Sequence, residues 1–131
     1  MNSNQSFRDL TVYKKAFELA MEIFALSKAF PKEERYSLTD QIRRSSRAIC
    51  SCIAEAYRKR NYKAYFVSKS SDADMENSET QSWLDFAKAC GYMDETVYMN
   101  LIVKSEEVGR MLNHMVENPE KYVRQKEKSI A

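Results

Sequence analysis

The sequence predicts an all-α protein, an antiparallel up-down-up-down four-helix bundle, and three observations lead there. Only two Gly and two Pro occur in 131 residues, whereas a β-rich fold needs those residues at its many tight turns. Apolar residues recur at helical spacing through four long segments. Only three short breaks separate the segments, and helices of about 20 to 28 residues on short links pack most simply as such a bundle. With 44% hydrophobic and 31% charged residues, the chain suits one globular core and is too short for two.

The first helix is expected over about residues 9–29. Its apolar positions make two adjacent stripes, Val12, Ala16, Leu19, Ile23, Leu26 and Leu10, Tyr13, Phe17, Met21, Phe24, read together as one wide buried face. Pro31 ends it, because proline biases the preceding residue away from helix. The second helix, about 37–60, starts at Ser37 as N-cap, with Asp40 completing a loose capping box. Its inner stripe is Leu38, Ile42, Ser45, Ile49, Ile53 and Ala56, and small residues in its middle would let a neighbour approach closely. Asn61 is a candidate cap for the third helix, about 62–90. Phe66, Ser70, Ala73, Asn77, Thr80, Leu84 and Ala87 hold core spacing there, an unusually polar stripe. Gly91 is a natural helix stop. Asp94 then caps the fourth helix, about 95–117, which turns Val97, Leu101, Val108, Leu112 and Met115 inward. The expected bundle spans residues 1–118, with no repeat and no second domain, and 119–131 is expected to be a charged, flexible tail.

Several function classes are set aside at this level. No apolar run approaches the roughly 20 residues of a membrane span. The opening residues lack the basic start and apolar stretch of a signal peptide, and the three cysteines form no disulfide framework. A cytoplasmic protein is expected. The single histidine, His114, gives neither a catalytic triad nor the Glu-x-x-His pairs of a di-iron bundle. Cys50 and Cys52 are two apart on a helix and point about 200° from one another, so they make no redox or zinc pair. They and Cys90 read as small packing residues. No Gly-rich phosphate loop is present. The expectation is a protein that is not an enzyme and needs no metal or other cofactor.

Charge is small in total, +2, but it separates along the chain. From 40 to 63 the basic residues Arg43, Arg44, Arg47, Arg58, Lys59, Arg60 and Lys63 outnumber Asp40 and Glu55. From 64 to 87 the acids Asp72, Asp74, Glu76, Glu79 and Asp85 stand against Lys69. In an antiparallel hairpin turning near residues 61 and 62, facing positions have numbers totalling roughly 123. That register predicts ion pairs between Arg44 and Glu79 and between Arg47 and Glu76, some partly buried. Such pairs specify register more than they add stability. Whether the charged faces meet within one chain or between chains is left open by the sequence.

The basic residues Arg43, Arg47, Arg58, Lys59, Arg60 and Lys63 are alternatively candidates for contact with phosphates. At the hairpin end they interleave with Tyr57, Tyr62, Tyr65 and Phe66. That mixture suits single-stranded nucleic acid, whose bases stack on rings while cations track the backbone. It equally suits a subunit interface, for which Tyr57 and Tyr65 are candidates. Trp83 falls on the outer edge of the third helix and reads as an interface anchor.

Several motifs resemble the bacterial four-helix bundle family associated with intervening sequences in 23S ribosomal RNA genes, also called the S23 ribosomal protein family. They are Phe7-x-x-Leu10-x-Val12-Tyr13-x-x-Ala16, Phe30-Pro31-x-Glu33, and Tyr36-x-Leu38-x-x-Gln41-Ile42-Arg43-Arg44-Ser45. They continue with Ile53-Ala54-Glu55-Ala56, Glu79-Thr80-Gln81-x-x-Leu84-x-x-Ala87 and Gly91-Tyr92. Two departures stand out: Cys52 and Ala56 replace the usual Asn and Gly around Ile-Ala-Glu, and the usual Gly-Ser-Leu is missing around Met75-Glu76-Asn77. The resemblance implies an antiparallel bundle that assembles as a homo-oligomer, with a pentamer favoured. A similar protein, the accessory variability determinant of diversity-generating retroelements, is a basic ring that binds nucleic acid and a reverse transcriptase. Two functions are therefore expected in competition. One is a non-catalytic oligomeric module binding RNA or DNA through the basic end of the second helix. The other is a protein-binding scaffold using the acidic third helix and Trp83.

Overall fold

The computed structural model describes residues 6–123. Four helices carry the fold: α1 (Thr11–Ser27), α2 (Leu38–Arg58), α3 (Lys63–Ala89) and α4 (Glu95–Glu117). Short 3-10 turns at Phe7–Asp9, Lys32–Glu34 and Pro119–Lys121 dress the ends. Cross-helix bonds set every neighbouring pair antiparallel. Arg43 Nε donates to Ser27 Oγ between α2 and α1, Thr80 Oγ1 to Ser45 Oγ between α3 and α2, and Gln81 Nε2 to Ser105 Oγ between α3 and α4. Lys15 meets Glu107 at 3.2 Å between α1 and α4, which closes the square of four. The all-α bundle read from the sequence is the fold observed.

The helix boundaries follow local chemistry, partly through residues other than those expected. Asp94 accepts from Val97 N at 2.8 Å and caps α4 as its position predicts. Gly91 adopts φ 81° and lets Tyr92 N reach back to Ala87 O at 2.9 Å, the helix-ending turn that glycine favours. Ser37, however, does not cap α2 with its own side chain. It donates to Glu34 Oε1 at 2.6 Å, and the same oxygen accepts from Leu38 N at 3.3 Å. The carboxylate of Glu34 thus takes the capping role from one turn upstream. At α3 the N-cap position is Tyr62, without a side-chain cap, and not Asn61.

The core divides into two apolar clusters with a polar layer between them. One holds Val12, Ala16, Ile49, Ile53, Phe66 and Leu112 among others. The other holds Leu19, Ile23, Ile42, Leu84 and Leu101. Between them lie Ser45, Asn77, Thr80 and Ser105, all buried. Their hydrogen bonds are made: Thr80 Oγ1 reaches both Ser45 Oγ and Glu76 O at 2.9 Å. Asn77 Nδ2 donates to Ser105 O, and Ser105 Oγ donates to Asn77 Oδ1, each at 2.9 Å. A slip of one helix turn would strand these groups unpaired in an apolar surround. The polar middle of the third helix is therefore a register lock.

Two expectations about what is buried need correction. Phe17 and Met21 of the second α1 stripe are half exposed, at 50% and 49%, because α1 buries chiefly its first stripe, although Leu10 and Tyr13 of the second also pack against the core. Periodicity identifies an apolar face without saying what covers it. The segment from 119 is also not uniformly a tail: Pro119 is buried, and Tyr122 stacks on Phe66 at 5.9 Å. The remainder of the expected tail, 124–131, lies outside the described residues.

Candidate nucleic-acid interface

The expected α2–α3 register is met to within a residue or two, but by other pairs. Glu55 and Lys69 meet at 2.9 Å, and Ser45 meets Thr80. Arg44 instead pairs with Asp40 on its own helix at 3.2 Å, with a largely exposed side chain, and Arg47 lies over the Phe24 ring of α1 at 5.5 Å. The Arg44–Glu79 and Arg47–Glu76 pairs expected from register are not formed. Residue number fixes the level along a hairpin, but the 100° step per residue decides which side of the helix each group takes.

The six basic candidates fall into two groups. Arg43 and Arg47 sit midway along the α1–α2 face, their guanidinium carbons 4.8 and 5.5 Å from the Phe24 ring centre. Arg58, Lys59, Arg60 and Lys63 gather where α2 turns into α3. From 47 to 58 is eleven residues, roughly 16 Å of helix, so one short ligand segment does not span both. At the turn, the Lys59 ammonium lies 5.6 Å from the Tyr62 ring and 5.7 Å from Tyr65. Tyr62 and Tyr65 are 58% and 42% exposed. Arg60 stacks on Tyr57 at 3.8 Å and donates to the Tyr57 carbonyl at 2.9 Å, which fixes its plane.

Arg58, Lys59, Arg60 and Asn61 line an open groove of about 770 Å³ whose far wall carries Ser6 and Phe7. Its acidic lining residue, Glu55, is already engaged by Lys69, and contact with Glu55 raises the Lys69 pKa. Among the described residues none of Arg58, Lys59, Arg60 and Lys63 forms a salt bridge. The sequence found these cations and rings. It could not find the contribution of Phe7, which comes from a short turn some fifty residues away.

The remaining candidates are placed as follows. Trp83 is half-buried, 5.9 Å from the Phe86 ring, and its Nε1 donates to Glu79 at 3.3 Å. His114 is exposed and contacts the Tyr122 hydroxyl. Cys50 is buried, with its thiol pushed up to about 11 by desolvation, while Cys90 is exposed and not the packing residue expected. Among the described residues no group of three or more His, Cys, Asp or Glu is placed to hold a metal ion. No helix among them is long and apolar enough to cross a membrane.

The family model for the 23S rRNA-intervening sequence protein matches residues 8–114. The chain is also similar to a crystal structure of a protein of unknown function from the S23 ribosomal protein family of Bacteroides thetaiotaomicron VPI-5482. The two share 28% identity over 81% of this chain and 95% of that one, with a TM-score of 0.73. No curated protein matches. With the family match covering α1 to α3 and most of α4, the chain belongs to the 23S rRNA-intervening sequence protein family.

Proposed function

We propose that this protein is a non-catalytic, self-associating bundle that binds single-stranded RNA or DNA at the α2–α3 turn. The observation that carries this reading is the group of Arg58, Lys59, Arg60 and Lys63 at the α2–α3 turn, none in a salt bridge among the described residues, with Lys59 against the exposed rings of Tyr62 and Tyr65. Cations supply attraction to phosphates and rings supply stacking for unpaired bases. Glu55 would repel a phosphate, and Lys69 offsets it. Self-association would multiply a modest patch, because several copies on one assembly bind as a multivalent surface.

The test is a fluorescence anisotropy titration of labelled single-stranded RNA and DNA with the wild-type protein and with Arg58→Glu/Lys59→Glu/Arg60→Glu. The three side chains lie at the end of α2, outside both core clusters, so the variant is expected to keep its helical circular dichroism. Affinity is expected to fall at least about 100-fold, since three reversed charges weaken every phosphate contact in the patch. A folded variant that binds as tightly as wild type would remove these residues from the interface.

A further inference from the structure

The end of the bundle where α1 begins and α4 finishes holds a cavity that the proposed nucleic-acid contact does not use. Helix α4 stops at Glu117, and the chain turns back through Pro119–Lys121, with Pro119 buried. Tyr122 N and Val123 N both donate to Pro119 O at 2.9 Å, which closes the turn. The Tyr122 ring then stacks on Phe66, 5.9 Å away with 20° between the planes, and its hydroxyl meets His114 Nδ1. The returning turn thus roofs the space between the helix ends.

Under that roof lies a cavity of about 580 Å³, walled by Leu10, Val12, Phe66, Met111, Met115 and Tyr122. Its size is that of a site for a small organic molecule. The charged residues lining it are both cations, Arg60 and Lys121, and among the described residues no Asp or Glu lines it. The Arg60 guanidinium is held in place, stacked on Tyr57 at 3.8 Å and donating to the Tyr57 carbonyl at 2.9 Å. Met111 and Met115 stand one turn apart on α4, and their unbranched thioethers adapt to the shape of an apolar body. Thr11 and Val12 belong to the first turn of α1, which has neither a side-chain cap nor an acidic residue. The positive end of that helix therefore adds to the sign that the two cations already set.

We propose that this cavity binds a small amphipathic anion, a carboxylate carrying a medium-length hydrocarbon body. The body lies against Phe66, Met111 and Met115 beneath the Tyr122 ring, and the carboxylate meets Arg60 and Lys121. The choice rests on the pairing of apolar walls with two cations and no acid. Burial of hydrocarbon drives entry, charge-assisted hydrogen bonds hold the headgroup, and an amine of the same length is repelled. The inference stands apart from the nucleic-acid reading. Tyr57 and Arg60 also line the groove at the α2–α3 turn, but the two methionines line the cavity and not that groove. A readout at the methionines therefore reports on the cavity whatever the outcome with RNA or DNA.

The test is methyl NMR of the full chain, isotope-labelled at the methionine methyl groups and titrated with decanoate, octanoate, decanol and decylammonium below their micelle concentrations. Decanoate is expected to shift the Met111 and Met115 signals to saturation and to leave those of the exposed Met21, Met75 and Met99 in place. Octanoate is expected to bind about 15-fold more weakly, two methylenes at about fourfold each. Decanol is expected to bind at least about tenfold more weakly, because it lacks the charge-assisted bonds, and decylammonium not at all. Arg60→Gln/Lys121→Gln changes no residue of either core cluster. That variant, checked for helicity by circular dichroism, is expected to lose at least about tenfold in decanoate affinity while decanol binds as before. Decanoate that leaves Met111 and Met115 unmoved, or that shifts the exposed methionines equally, overturns the proposal. So does decylammonium that binds as tightly as decanoate, or a folded double variant that binds decanoate as wild type does.

Discussion

A methyl group at position 109 should test whether the polar layer locks the bundle. Gly109 lies inside α4, where glycine costs about 1 kcal/mol relative to alanine, so Gly109→Ala would ordinarily stabilise the helix. Here the new Cβ would stand 3.1 Å from Asn77 Nδ2 and 3.9 Å from Asp74 Oδ1. Asn77 has little room to yield, because two 2.9 Å bonds to Ser105 hold its amide. Displacing it forfeits about 1 kcal/mol for each bond. Gly109→Ala is therefore expected to destabilise by about 1 kcal/mol in the wild type and to stabilise by about 1 kcal/mol in an Asn77→Ala background, a coupling of about 2 kcal/mol. Asn77→Ala alone loses both bonds and leaves a small void, about 3 kcal/mol in all, or roughly 10 °C in Tm for a domain of this size. Urea unfolding of the four proteins, followed by circular dichroism at 222 nm, gives the cycle. Additivity within about 0.5 kcal/mol would mean that the two positions do not communicate, and would refute the idea that the glycine keeps space for the amide.

The other expected effects concern single polar groups. Ser70 is buried, and its hydroxyl has no hydrogen-bond partner among the described residues. Ser70→Ala is thus expected to raise stability by about 1 kcal/mol, and a lower urea midpoint would contradict this. Glu34 has its pKa lowered by the Ser37 and Tyr92 hydroxyls, and the phenol of Tyr92 is pushed up to about 12 by the same contact. A depressed carboxyl contributes stability above its unfolded pKa and loses it as pH falls through the folded value. Wild type is therefore expected to exceed Tyr92→Phe by most near neutrality and by progressively less on acidification. Because the pair is only part-buried, solvent screening should keep the difference small. Urea midpoints that differ equally at all pH values would show that the hydroxyl does not act through the ionised carboxylate.

The sequence carried more about the fold than about the surfaces. Helical spacing placed the four helices, and Asp94 and Gly91 announced their roles because a cap and a left-handed turn each demand a short list of residues. The polar stripe of Ser70, Asn77 and Thr80 was visible, but the pairing of Asn77 needed Ser105, a residue between Leu101 and Val108 at core spacing on α4. That of Thr80 needed Ser45 on α2, and Ser70 finds no partner among the described residues. Glu34 could not be recognised as the cap of α2, since it acts from a preceding turn. The ion pairs failed for a different reason. Hairpin register gave the correct level, while the side of each helix was set by rotation, which left Arg44 with Asp40 and Arg47 with Phe24. For the candidate interface, the cations and tyrosines were legible in one stretch of sequence. Their division into two groups was not, because it follows from which neighbour each arginine packs against.

The most direct measurement of the proposed ligand contact is the anisotropy titration with wild-type protein and single-stranded RNA, repeated across salt. If Arg58, Lys59, Arg60 and Lys63 meet phosphates, the logarithm of affinity should fall with the logarithm of salt at a slope of about −3 for each engaged subunit. Four contacts at roughly 0.7 each give that value. Absence of binding even at low salt, or binding indifferent to salt, would contradict a phosphate-contacting surface at the α2–α3 turn.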